Sequence, residues 1–160
     1  MFAPMRRRLQ QLPEDRALKI FSEASAAVLA LSSDDYPYAV PVSFVVFNGN
    51  IFIHGAPMGL RETLMKKHPK VSLCVIEKDE IIPEKLTTHF RSVIVFGTAS
   101  FVTEPQAKRE ALTALAQKYS SGFEKEAQEE VNRTLSYVSV VQIKIEHITG
   151  KEAIELVNAK

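Results

Sequence analysis

Residues 37–61 read PYAVPVSFVVFNGNIFIHGAPMGLR, and this stretch decides how the chain folds. From Tyr38 to Phe47 the apolar side chains recur at every second position, which is the pattern of a long strand. The dipeptide Asn48-Gly49 then favours a tight type I′ turn, and Ile51 to His54 forms the return strand. The stretch therefore predicts a β-hairpin of an antiparallel sheet.

A turn of small residues follows the hairpin and leads to Arg61, at the start of a helix predicted from Leu60 to Lys67. The first backbone N–H groups of a helix and its dipole both attract negative charge. This turn therefore suits an anionic group such as a phosphate. Taken alone, Arg61 fits a solvated surface charge equally well.

The rest of the chain predicts mostly strands. Apolar alternation or continuous apolar runs place them at residues 26–31, 71–77, 92–102 and 137–148. Residues 78–90 are mainly polar, contain Pro83, and are predicted to form a long loop.

Helical patterns flank these strands. A first helix is expected at residues 14–24, after an N-terminal arm at 1–12, and two more form an insertion at 104–135. Thr103 and Gln106 have the spacing of a capping box at the start of that insertion. We expect one domain over residues 1–160, mainly β, in which six strands remove their edges by closing into a barrel with peripheral helices.

The composition argues against several classes of protein. The net charge is only +1, from 20 basic and 19 acidic residues, so nucleic-acid binding through bulk positive charge is not expected. No apolar run is long enough for a transmembrane helix, so no membrane partner is expected. The lone Cys74 permits no intramolecular disulfide, which favours a cytoplasmic location.

The familiar catalytic motifs are missing. The sequence contains no GxSxG elbow, P-loop or GxGxxG run, and its four histidines form no HxxxH pair, so no metal site is predicted. His54 is the candidate that stands out, since it ends a strand just before Gly55, Ala56 and Pro57. A strand-end histidine is more often a structural or surface residue, but small neighbours allow a ligand to approach the backbone closely.

Several segments, taken in order, resemble the pyridoxamine 5′-phosphate oxidase-related flavoproteins with an FMN-binding split barrel, and within them the nitroimidazole-resistance (Nim-type) reductases. The matching segments are residues 5–7, 36–42, 53–56, 59–61, 69–75, 86–88, 91–97 and 148–151. Together they extend over nearly the whole chain. The resemblance implies a six-stranded antiparallel split barrel that forms a homodimer, with FMN at the subunit interface.

The resemblance also implies which residues hold FMN. The isoalloxazine ring would lie along the strand formed by Tyr38, Ala39, Val40, Pro41, Val42 and Ser43. The flavin would be bordered by His54, Gly55 and Ala56, with Gly59 in the same turn. The phosphate would be held by Arg61 and Ser92, with Arg91 and Val93 as neighbouring candidates.

By the same resemblance, the protein would be an FMN-dependent oxidoreductase that reduces a small, flat, electron-poor substrate such as a 5-nitroimidazole-type nitroaromatic. His54 would be the catalytic candidate, as proton donor or substrate-orienting group. The alternatives are a non-catalytic flavin-binding protein for storage or sensing, and a split barrel that binds haem or a deazaflavin. Haem would require an axial ligand, for which His54, His89 and His147 are the candidates. Vitamin B6 oxidation is not expected, because the chain lacks tryptophan and the C-terminal substrate motif of the true oxidases.

Overall fold

The structure, a computed structural model, describes residues 2–158, and this part of the chain contains seven strands and five α-helices. In chain order they are α1 (Glu14–Glu23), β1 (Ala27–Leu31), β2 (Tyr38–Val42), β3 (Val45–Phe47), β4 (Asn50–Gly55), α2 (Leu60–Lys67), β5 (Lys70–Ile82), β6 (Thr87–Phe101), α3 (Pro105–Tyr119), α4 (Glu124–Thr134), β7 (Ser139–Glu152) and α5 (Ile154–Asn158).

The strands form one antiparallel sheet in the order β2-β1-β5-β6-β7-β4-β3. β2 and β3 are thus the two edges, although only Ser43 and Phe44 separate them in sequence. Three Cα–Cα steps can span at most about 11 Å, so the sheet must curl until its two edges nearly meet. The prediction of a mainly β, barrel-like fold with peripheral helices is confirmed.

The sheet has seven strands rather than six, because the strand predicted from Tyr38 to Phe47 is broken at Ser43 and Phe44. The Phe44 side chain is fully buried, with its ring centroid 4.7 Å from that of Phe21. The Tyr119 hydroxyl accepts a hydrogen bond from the Phe44 N–H at 2.9 Å and lies 2.8 Å from the Phe44 carbonyl oxygen. The backbone of Phe44 therefore bonds to a helix side chain, where the predicted strand would have continued its ladder.

The prediction of a loop at residues 78–90 is wrong. β5 and β6 continue as a paired hairpin as far as Ile82 and Thr87, which face each other next to the turn. Beyond Ile76 this hairpin extends past β1, and its side chains are half-buried or exposed. Because neither face is covered, the segment lacks the apolar alternation by which a strand is recognised from sequence.

Two groups of buried side chains hold the elements together. One fills the interior of the curled sheet and includes Phe21, Phe44, Ile51 and Ile53. The other lies under the helical insertion, where Phe52 and Val140 of the sheet pack against Ala111, Leu112, Leu115 and Val131 of α3 and α4. The insertion is thus anchored on the outer face of β4 and β7.

The predicted capping residue of α3 was wrong by one position. Glu104, not Thr103, is the N-cap, and its carboxylate accepts hydrogen bonds from the backbone N–H groups of Gln106 and Ala107 at 3.0 and 2.6 Å. Pro105 takes the first helical position, where its missing N–H has no cost. Within residues 2–158, no helix has the length and apolar character needed to cross a bilayer.

Candidate functional site

β2 offers a free backbone edge. It pairs only with β1 in the described chain, so the N–H and C=O groups of its other edge remain available. Pro41 has no N–H group to donate to a ladder, which suits an edge strand of this kind. Ala39, Pro41 and Ser43 are exposed, whereas Val42 points into the barrel core with Tyr38 and Val40 packed against that core. A flat ligand on this strand would meet backbone groups and small exposed side chains.

The end of β4 places His54 on the outer face of the sheet. Alternate strand residues share a face, so His54 lies on the side of Phe52, which the helical insertion covers. The strand ends at Gly55, and a turn of exposed residues, Ala56 to Gly59, leads into α2. The prediction that α2 runs from Leu60 to Lys67 is confirmed.

Arg61 lies back across the end of β4. Its Nη2 donates to the Glu62 carboxylate at 2.9 Å and lies 3.4 Å from the His54 carbonyl oxygen. A Cβ atom on Gly55 would come within 2.1 Å of that same Nη2, so the guanidinium occupies the space that a side chain at this position would take. Arg61 is only 19% exposed, and its buried Nε has no hydrogen-bond partner in residues 2–158.

An unpaired buried donor of this kind calls for an acceptor, since leaving it unsatisfied costs about 1–3 kcal/mol. The N-terminus of α2 adds further donors, because no side chain caps it and its first N–H groups precede the helical hydrogen bonds. Gly59, which precedes the helix with φ at +151°, adopts a backbone conformation that favours glycine. These groups fit the phosphate of FMN.

The buried Glu62 limits this fit. It is 4% exposed and forms an ion pair with Arg61, so the pair as a whole carries no net charge. A phosphate would therefore share the Arg61 guanidinium with Glu62, and would rely on Nε and on the N–H groups of α2.

The environment of His54 favours its neutral form. Partial desolvation of the ring and, secondarily, the positive charge of Arg61 lower the pKa of His54 below its ordinary value, although part of the side chain stays in solvent. The neutral imidazole therefore predominates at pH 7, with one nitrogen able to donate a hydrogen bond and the other able to accept one.

The remaining predicted site residues, Arg91, Ser92 and Val93, lie on β6, and their contacts are with other parts of this chain. Arg91 donates to Glu77 at 2.8 Å through Nη1 and to Glu152 at 3.1 Å through Nε. Val93 is fully buried in the barrel, and Ser92 is half-buried beside it. Because β1 and β5 lie between β2 and β6, Ser92 is roughly 14 Å from β2 around the sheet. Ser43, at the end of β2, lines one cavity with His54, and His54 adjoins Arg61, so these residues mark one corner of the chain. Arg91 and Ser92 lie apart from it.

The sequence reading missed a cavity of about 670 Å³ between the sheet and the insertion. It is lined by Ser43 and His54 of the sheet region and by residues of α3 and α4, among them Leu112, Leu115, Phe123 and Val131. The helical period of these apolar residues was visible in the sequence, but it did not show that they leave space above His54. A cavity of similar size on the outer face of β1, β5 and β6 contains none of the predicted site residues.

Metal binding has no support in residues 2–158, where no three His, Cys, Asp or Glu side chains gather as a metal would require. Of the other histidines, His147 stacks on Phe2 at 4.5 Å between ring centroids, and His89 lies 3.9 Å from the Glu80 carboxylate. His54 is the histidine that lies next to Arg61.

Solved structures resemble this fold at low sequence identity. A conserved hypothetical protein of Mycobacterium tuberculosis aligns with a TM-score of 0.79 at 17% identity, covering 93% of this chain and 90% of the other. A FAD and heme binding protein of Mycobacterium smegmatis gives 0.76 at 20% identity, covering 90% and 73%. A proposed 5-nitroimidazole antibiotic resistance protein of Bacteroides thetaiotaomicron gives 0.72 at 19% identity, covering 89% and 86%. These similarities establish a shared fold.

Sequence comparison identifies the family. No curated protein matches the sequence significantly. The family model described as Pyridoxamine 5′-phosphate oxidase, however, matches residues 13–152, which include the whole curled sheet and the corner formed by β2, His54 and Arg61. The resemblance noted in the sequence is thereby confirmed, and the chain belongs to the pyridoxamine 5′-phosphate oxidase-related family of split barrels.

Proposed function

We propose that this protein binds FMN and is an oxidoreductase that reduces a small, flat, electron-poor molecule, with 5-nitroimidazole-type nitroaromatics as the leading candidates. The observation that carries the proposal is the corner at Arg61, where an unpaired buried Nε, an uncapped helix and the side-chain-free Gly55 converge. Support also comes from two proteins of the same fold, one described as binding FAD and heme and one as a proposed 5-nitroimidazole resistance protein.

Each part of the corner has a role in this proposal. Arg61 and the first N–H groups of α2 hold the phosphate, and the free edge of β2 hydrogen-bonds the polar edge of the ring. When bound, FMN supplies the electron-transfer chemistry. His54, neutral at pH 7, orients the substrate through its ring N–H and can take part in proton transfer.

We further propose that the protein works as a homodimer. The hairpin of β5 and β6 projects beyond the rest of the sheet and exposes Ile76, Ile81 and Leu86 at 68%, 72% and 95%. Large apolar side chains on a projecting arm are typical of a surface that a partner covers. Arg91 and Ser92 lie apart from Arg61 within one chain. In a dimer, these two residues of one subunit could contact the FMN that is bound by Arg61 of the other.

The test of the function begins with the absorbance spectrum of purified protein, before and after addition of FMN and desalting. Retained bands near about 370 and 450 nm would show bound oxidised flavin. Light scattering of the same sample would measure the subunit number, with two expected. A protein that stays colourless after FMN addition would contradict the proposal, and an intense haem band near about 400 nm would support the haem-binding alternative.

Replacing His54 with alanine is expected to leave FMN bound and to lower kcat/KM for nitroaromatic reduction by about tenfold or more, because the orienting and proton-transfer group is lost. The measurement is steady-state turnover under anaerobic conditions with FMN occupancy checked by absorbance. His147→Ala is the matched control, since that histidine stacks on Phe2 away from the corner. Equal turnover of wild type and His54→Ala would refute the role.

The pH dependence of stability provides a second readout for His54. Because its pKa is lowered in the folded state, the unfolded chain binds more protons below the ordinary pKa, and stability falls as the pH drops through that range. Above the ordinary pKa both states are neutral and no effect is expected. Thermal melting of His54→Gln between about pH 7 and 5 should show a shallower fall than wild type. The effect is small, because His54 keeps much of its surface in solvent.

A further inference from the structure

We infer that the cavity between the sheet and the α3–α4 insertion binds the reducible substrate, and that it selects an uncharged planar ring. This inference rests on the proposed function, since it places the substrate of that reaction. The cavity volume of about 670 Å³ lies within the range of roughly 300–1,000 Å³ that is usual for small-molecule sites.

The position of His54 connects the cavity to the corner. Its side chain lines the cavity, while its carbonyl oxygen lies 3.4 Å from Arg61 Nη2. Ser43, which follows the last residue of β2, lines the same cavity. A ligand in the cavity would therefore contact the side chains of Ser43 and His54. Ser43 directly follows β2, and the backbone of His54 contacts Arg61, so both residues adjoin the groups proposed to bind FMN.

The walls favour a flat apolar body. The large apolar side chains of the lining come from α3, α4 and the residues just before α4 and β7: Leu112, Leu115, Phe123, Val131 and Val138. The Tyr119 hydroxyl is engaged by the backbone of Phe44 and Ser25, so Tyr119 offers mainly its ring. Ser43 and His54 supply polar contacts from the sheet, and Ser120, Thr134 and two glutamates supply them from the insertion, so a flat apolar ring can bind with its polar substituent toward either side.

The charges in the lining exclude anions. Among residues 2–158, no lysine or arginine lines the cavity, whereas Glu126 and Glu130 do. Arg133 neutralises Glu130 through hydrogen bonds of 2.6 and 2.7 Å, but Glu126 has no ion-pair partner in the part of the chain that the structure describes. A negatively charged substrate would therefore meet the uncompensated Glu126 carboxylate, and the guanidinium beside His54 is already paired with Glu62.

Two probes of equal shape test the charge requirement. Binding of uncharged 4-nitrobenzamide and of anionic 4-nitrobenzoate is measured by calorimetry at pH 7, on protein with and without FMN. We expect 4-nitrobenzamide to bind at least tenfold more tightly than 4-nitrobenzoate. Equal binding of the two probes would overturn the inference.

Three further variants locate the binding. Ala127→Trp fills the cavity and should weaken 4-nitrobenzamide binding at least tenfold, whereas Ala107→Trp, an exposed alanine of α3 outside the lining, should leave it unchanged. Glu126→Lys changes an exposed residue, keeps the fold, and should improve binding of 4-nitrobenzoate at least tenfold. If Ala127→Trp binds like Ala107→Trp, or if Glu126→Lys leaves the probes unaffected, the inference fails.

A separate FMN titration of each variant distinguishes this failure from failure of the proposed function. If FMN binds normally but the cavity does not bind the probes selectively, the inferred substrate site is wrong and the flavoprotein proposal stands. If the three variants change probe binding as expected but the protein does not bind FMN, the cavity is a ligand site and the proposal of a flavoenzyme is wrong.

Discussion

Replacing Arg61 with alanine is expected to weaken FMN binding by about two orders of magnitude. Each hydrogen bond to a charged group contributes about 1.5–3 kcal/mol, and every 1.4 kcal/mol corresponds to about tenfold in affinity. The variant removes the guanidinium at this corner, with the buried Nε that has no partner in the described chain. The measurement is the quenching of FMN fluorescence on titration with protein.

Three control variants separate the contact with FMN from effects on folding. Lys66→Ala removes the same charge from the last turn of α2 and should leave FMN affinity unchanged. Arg61→Lys keeps the charge but loses the fork of donors, so an intermediate affinity is expected. Arg61→Ala also leaves the buried Glu62 without its ion-pair partner, and the double variant with Glu62→Gln should recover stability without recovering FMN binding.

Gly55→Ala tests the same contact without removing Arg61. The new Cβ would lie 2.1 Å from Nη2, and the end of a long side chain can move aside at little cost in folding energy. We expect weaker FMN binding at nearly unchanged thermal stability. If both Gly55→Ala and Arg61→Ala bind FMN as wild type does, the phosphate is not held at this corner.

Gly97→Ala is expected to destabilise the fold by about 1–3 kcal/mol, which lowers the melting temperature by roughly 2–12 °C in a chain of this size. A Cβ at Gly97 would lie 2.4 Å from the Lys144 carbonyl oxygen and 2.7 Å from Cγ2 of Ile143. Backbone of a neighbouring strand cannot move aside as a side chain can. The contact arises where the register of β6 and β7 shifts, between the pairs Phe96–His147 and Gly97–Ile145.

Thermal unfolding followed by circular dichroism measures this effect. Ser100→Ala, an exposed position on the same strand, should melt within about a degree or two of wild type, because surface substitutions usually change stability by less than 0.5 kcal/mol. Gly55→Ala is the second control, since its closer clash involves only a flexible side chain. A Gly97→Ala protein as stable as these two would show that the strands separate easily at the bulge.

Much of the corner was predictable because its signals are local. Asn48 and Gly49 adopt φ values of +48° and +73°, as the hairpin dipeptide predicts, and α2 begins and ends where the turn glycine and Pro69 indicate. Pro41 lacks an N–H group, which predicts a position at an edge, a bulge or a ligand, and β2 is an edge of the described sheet. Each of these residues determines the backbone conformation only of the few positions around it in the sequence.

The errors have a common cause in contacts between distant parts of the chain. The predicted long strand is broken where Phe44 hydrogen-bonds to Tyr119, a residue 75 positions further along. The β5–β6 hairpin was predicted as a loop because its strands are held by pairing with each other, without a buried face to produce alternation.

The class of fold, the hairpin turn, the start of α2 and the family could be predicted from the residues alone, since each depends on backbone preferences or short motifs. The folded chain was needed to show that the guanidinium of Arg61 lies across Gly55, that Arg91 is engaged by Glu77 and Glu152, and that His54 opens into a cavity under the insertion. The reason is physical: these arrangements depend on how the curled sheet brings separate strands and helices together, and no local pattern encodes the distances between them.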